Sequence, residues 1–143
     1  MQTASTKPKN KTLATSLAVL LGGTGAHRFY LYGAKDFFAW NYVIAFVLFV
    51  VAQFLVQSEH PTGIGVIAYF PVAILVGWAE AFVIGLTTDK RWDAIYNRGL
   101  TYQSQSGWPI KILLGLALLA SVGTVLFSII HIVRLIIKSG IIG

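Results

Sequence analysis

The 143-residue chain has no cysteine. That excludes disulfides, thiolate metal sites, a thiol nucleophile and a lipid-modified cysteine. Charge is equally scarce: charged residues make up 11% of the chain, with five acidic residues against eleven lysines and arginines. Long polar stretches are few, so there is no room for a sizeable aqueous domain. What fills the chain instead is apolar: 56% hydrophobic residues and a mean hydropathy of +0.72. A helix needs about 20 mostly apolar residues to cross a bilayer, and several runs reach that length. The composition is that of an integral membrane protein.

The net charge of +6 does not point to nucleic acid. Its lysines and arginines flank apolar runs, where such residues set orientation and contact anionic lipid heads. No nucleophile–base arrangement, phosphate loop or paired carboxylates occur within one segment, and the three histidines are dispersed. No enzyme, cofactor or metal site is therefore expected.

The expected fold is an all-α integral membrane protein with three to four transmembrane helices. Residues 1–11 form a polar basic tail. A first segment covers residues 12–32, a second 37–57 and a third 64–87, followed by an interfacial stretch at 88–98. A polar connection at 99–109 leads to an additional apolar helix at 110–138. The basic tail, the apolar Leu13–Leu21 run and Thr24-Gly25-Ala26 mimic a secretory signal. Cleavage there would discard the most distinctive motif in the chain, so the segment is taken as retained.

In the first segment Ala14, Ala18, Gly22 and Ala26 recur every four residues. Such a stripe lets a neighbouring helix approach closely in lipid. Gly22, Gly23 and Gly25 weaken the same helix, so a break is expected there. Pro61 and Gly63 break the chain between the second and third segments, and Pro71 is expected to kink the third. The Asp89-Lys90-Arg91-Trp92-Asp93 group reads as a short amphipathic helix or turn at the bilayer surface.

Orientation follows from the basic residues. Three lie in the tail, two in the first connection, none in the second, four in the third and two at the C-terminal end. Four full crossings would divide them five against six. A re-entrant first segment would put nine on one side against two, and that course is preferred, with the N-terminus cytoplasmic. Aromatic residues cluster at the first and third connections, which supports a shared face at headgroup depth.

Glu80 lies within the third apolar run, ~7 Å from its midpoint at ~1.5 Å per residue, inside the hydrocarbon. A carboxylate there requires a partner or a proton. His131 and Arg134 lie toward the opposite side and read as interfacial side chains. His27 and Arg28 lie on the same side as Glu80, so a His27–Arg28 contact with Glu80 is expected, with Trp78 beside it.

The run Gly22-Gly23-Thr24-Gly25-Ala26-His27-Arg28-Phe29-Tyr30-Leu31 resembles the signature of the TM-two domain family, a small two-helix membrane domain. The second half of that pattern, an apolar helix with Trp and then an acid, is similar to Gly77-Trp78-Ala79-Glu80. The resemblance spans about residues 7–98. Tyr32 intervenes before Gly33, Glu stands where Asp is more usual, and the halves lie farther apart, with 37–57 as an extra helix. It implies a membrane location, a bacterial inner membrane by preference, and a structural core built on Gly22, Gly23, Gly25, His27, Arg28, Phe29, Tyr30, Trp78 and Glu80. It implies no reaction. Three functions are compatible: an assembly or accessory subunit packing on itself or on a membrane-protein partner; an oligomeric pore with Glu80 and Arg28 in its pathway; and a binder of lipid headgroups.

Overall fold

The computed structural model describes residues 7–57 and 69–138. Among these there are six α-helices and no strand: α1 (Lys11–Leu21), α2 (Ala26–Tyr32), α3 (Phe37–Gln57), α4 (Tyr69–Leu86), α5 (Asp89–Tyr96) and α6 (Trp108–Lys138). The breaker loop expected around Pro61 and Gly63, and the start of the third segment at Ile64, lie outside the described residues. Helix α3 coincides with its expected segment. Pro71 falls in the first described turn of α4, and the carbonyl it would displace (Ile67) is itself outside the described residues.

The first segment is a helical hairpin. Asn10 caps α1 through its side chain, which accepts from the Leu13 amide at 3.0 Å, as a short polar residue at an N-cap does. Eleven residues later α1 gives way to a 3-10 turn at Gly22–Thr24. Gly25 then takes φ 73°, a left-handed conformation open to glycine at little cost. The chain reverses, and α2 runs back beside α1. Two bonds close the open end: Lys9 Nζ donates to the Tyr30 carbonyl at 2.6 Å, and the Asn10 amide to the Tyr30 hydroxyl at 2.7 Å. An 11-residue helix spans only ~16 Å, about half the hydrocarbon thickness. The two ends of the hairpin thus lie together at one end of the bundle.

Helices α3 and α6 are long and apolar enough to cross a membrane, and α4 forms a third candidate with α5, which turns away from it by 107°. Thr88 caps α5, and this short helix lies across the end of the bundle. Lys11, only 5% exposed, reaches from the first turn of α1 to the Thr87 carbonyl and to Asp89 (3.0 Å). A cation at the C-terminus of α4 and an acid in the first turn of α5 both suit the helix dipoles. Trp92, 1% exposed, donates from Nε1 to the Lys9 carbonyl at 3.0 Å, and Asn97 grips the Lys9 backbone from both sides. The Tyr32 and Tyr96 hydroxyls meet at 2.9 Å. The tail, the first connection and the third connection therefore share one face.

The core is small-residue packing. Ala14 and Ala18 on α1 and Ala81 on α4 are fully buried, with Leu31, Ile84 and Trp92 around them. Gly22 is buried as well. The stripe stops there. Ala26 belongs to α2, beyond the Gly25 reversal, and is only partly buried. The face expected to meet another subunit is occupied by this chain's own α4.

Candidate functional site

Three structural devices bring the site together. The first is a glycine crossing. A Cβ placed on Gly22 would stand 3.1 Å from the Gly77 Cα, and one on Gly23 would stand 2.8 Å from Ile74. Absent side chains let the hairpin tip lie directly on the α4 backbone, as small-residue contacts do between helices in lipid. The second is the Gly25 reversal, where a Cβ would stand 2.8 Å from Tyr42 and 2.9 Å from the Ala39 carbonyl oxygen. The tip is therefore wedged against α3 too. The third is Trp78, whose Nε1 donates to the Val19 carbonyl at 2.9 Å. Val19 is in the last turn of α1, where carbonyls have no intrahelical partner. In hydrocarbon each such group needs one.

Above this tip sits the ionic cluster. Arg28 donates from one terminal nitrogen to Glu80 Oε1 at 2.5 Å, from Nε to Asp36 Oδ2 at 2.7 Å, and weakly from the other terminal nitrogen to Asp36 Oδ1 at 3.4 Å. His27, 1% exposed, bonds Glu80 Oε2 through Nε2. Successive residues of α2 thus engage the two oxygens of one carboxylate on α4. The guanidinium is stacked between aromatic rings, with Tyr32 at 5.1 Å and Phe38 at 5.0 Å.

Asp36 has two tasks. Its Oδ1 accepts from the Phe38 amide at 3.2 Å and so caps α3. Burial favours its neutral form, but the Arg28 hydrogen bond and charge outweigh that and hold its carboxyl below the ordinary carboxylate value. Sequence reasoning missed Asp36 as a partner. The signal was its spacing: it stands just past the end of the helix that carries Arg28, on the connection that must turn back toward the bundle.

The remaining motif aromatics act as pins. Phe29 meets Trp40 edge-on at 5.4 Å, and Tyr30 receives Lys9 over its ring at 4.9 Å besides its bond to Asn10. Trp78 does not flank the cluster as expected, because it turns to α1. Arg134 is exposed on the far part of α6, away from Glu80, and the His131 side chain lies outside the described ones. Among the described residues, His27 Nδ1 and the Tyr42 hydroxyl are buried without a hydrogen-bond partner. Among the described residues, no three His, Cys, Asp or Glu side chains gather as metal ligands.

A second polar network, also unforeseen, ties the third connection down. Asp93 accepts from the Ser104 amide at 2.8 Å and hydroxyl at 2.6 Å, and Asp89 accepts from the Ser106 amide at 2.7 Å and from the Ser106 hydroxyl. Burial again opposes ionisation, but these bonds prevail, and both carboxyls are held below their ordinary range. All four described carboxylates are thus committed to partners.

Taken together, a helical hairpin, membrane-length apolar helices and a charge cluster that ties the hairpin to α4 define a small helical membrane protein. In comparison with family models, residues 7–55 match that of the TM2 domain, the family that the glycine-to-leucine run resembles. The matched range takes in most of α3, which by inspection looked like an extra helix, and it ends before Trp78 and Glu80. Comparison with curated proteins and with solved structures gives no match.

Proposed function

We propose that the protein is a non-enzymatic assembly or accessory subunit of a membrane complex, with α6 as its docking arm. The observation that carries this reading is the division of surface. The α1 stripe and the glycine crossing are consumed in holding the chain together. By contrast, only 11% of the membrane-crossing window of α6 (Trp108–Ile130) is buried within the molecule. Ile110, Leu114 and Ala117 anchor its first turns. Beyond Ala117 no residue through Ile130 is buried. That leaves a full apolar face of α6 for a partner helix to pack against.

The pore reading is weaker, because Glu80 and Arg28 face each other instead of lining an open path. The nine basic residues of the tail, first connection and third connection favour a cytoplasmic N-terminus, and the family resemblance favours a bacterial inner membrane.

The test is site-specific photocrosslinking in native membranes from Leu119 and Leu126, which are 72% and 55% exposed. A discrete protein adduct, with this chain or another, is the expected result. Adducts to lipid alone from both positions would overturn the proposal.

A further inference from the structure

A cleft of about 390 Å³ opens between α3 and α4, lined by Arg28, Phe38, Tyr42, Val72, Val76 and Glu80 among others. Its volume lies in the range of small-molecule sites, which are mostly apolar with a few converging polar groups. Its α4 wall is formed by Val72, Ala73, Val76 and Glu80, which succeed one another along one face of that helix. From Val76 or Val72 to Glu80 is one to two turns, about 6–12 Å, with the charges at the end nearer the polar face. The apolar end is open to the side, since Val72 is 53% and Val76 47% exposed, and Phe38 forms an exposed lip at 60%.

The charges are not fully covered. The Glu80 side chain is 27% exposed and that of Arg28 17%. A carboxylate partly open to acyl chains is costly, so a polar group must meet it. The charge of that group follows from the cluster. One guanidinium faces two carboxylates, Glu80 and Asp36. Glu80, the more exposed member of its pair with Arg28, presents its carboxylate to the cleft and calls for a cation there. Among the described residues, three of the five Arg28 N–H donors are engaged, and two remain for an acceptor.

We propose that this cleft seats an amine-bearing zwitterionic phospholipid from the surrounding leaflet. Its ammonium group meets Glu80, its phosphate accepts the two remaining Arg28 N–H groups, and an acyl chain lies along Val76 and Val72. The headgroup-to-tail order matches the order of the lining, charged toward the polar face and apolar toward the bilayer interior.

Native mass spectrometry of the detergent-purified protein, with phosphatidylethanolamine and phosphatidylglycerol added at equal concentrations, tests it. Retention of phosphatidylethanolamine is expected to exceed that of phosphatidylglycerol at least tenfold. Val76→Trp, which fills the apolar end, should remove the difference. Val83→Trp, on the same helix at a 70% exposed position away from the cleft, should keep it. A phosphatidylethanolamine carrying a photoreactive acyl chain gives a readout on the unsubstituted protein, and its adducts should map to the Val72–Val76 stretch. Equal retention of the two lipids, a preference for phosphatidylglycerol, or adducts spread evenly over α3, α4 and α6 would each overturn the assignment.

Discussion

Gly77 crosses Gly22 so closely that a Cβ on Gly77 would stand 2.7 Å from both the Cα and the carbonyl carbon of Gly22. The atoms in the way are backbone, which cannot move aside as a side chain can. Gly77→Ala is therefore expected to destabilise the protein by about 1–3 kcal/mol, the usual range for overpacking. Gly22→Ala, with a nearest approach of 3.1 Å, should cost less. Reversible unfolding in detergent, followed by circular dichroism, ranks the two.

The Arg28–Glu80 pair is expected to behave as a buried ion pair, costly to break from one side. Arg28→Ala and Glu80→Gln should each destabilise by about 3–5 kcal/mol, because each strands a charge or a polar partner away from water. Together they should cost less than the sum, by an interaction energy of about 0.5–3 kcal/mol. Simple additivity in the double-mutant cycle would mean that the two side chains do not interact.

Trp78→Phe tests the carbonyl bond separately from the packing. The phenyl ring keeps most of the apolar contact but leaves the Val19 carbonyl unpaired. A loss of about 1–2 kcal/mol is expected, as for interhelical hydrogen bonds in lipid. The effect should be local, with faster amide exchange at the end of α1 and unchanged exchange in α6.

The third connection should loosen in acid. Asp89 and Asp93 bind protons less readily in the folded protein than their ordinary value of 3.8. The unfolded state therefore takes up the protons first as pH falls. The stability they lend is complete above about pH 3.8 and disappears as pH drops through their lower folded values. Exchange protection of the Ser104 and Ser106 amides should hold at pH 5 and vanish below that window. In Asp93→Asn the Ser104 amide should be weakly protected already at pH 5.

Much of the architecture was readable before folding was considered. Helix α3 could be delimited because an uninterrupted apolar run between Asp36 and the polar Gln57-Ser58 step has few alternatives in lipid. The break at Gly22–Gly25 was readable from helix propensity, and the shared face of the tail and two connections from the positions of lysine, arginine and aromatic residues. The Glu80 partner was reachable by depth: only His27 and Arg28 stand at the right level on the right side. Other features were not legible. Asp36 looks like an ordinary loop residue, and nothing in periodicity tells which way the Trp78 indole turns. The Ala14/Ala18/Gly22 stripe announces a close contact but not whether the neighbour belongs to the same chain.

Membrane residence, the all-helical class and the need for a partner at Glu80 follow from composition, run length and the cost of charge in hydrocarbon. These depend on what each residue is, and a linear order suffices to read them. Which helix fills the α1 stripe, where the freed Val19 carbonyl goes and which second acid claims Arg28 depend on distances between segments far apart in the chain. Those distances exist only once the hairpin has reversed at Gly25 and Gly77 has come to lie on its tip.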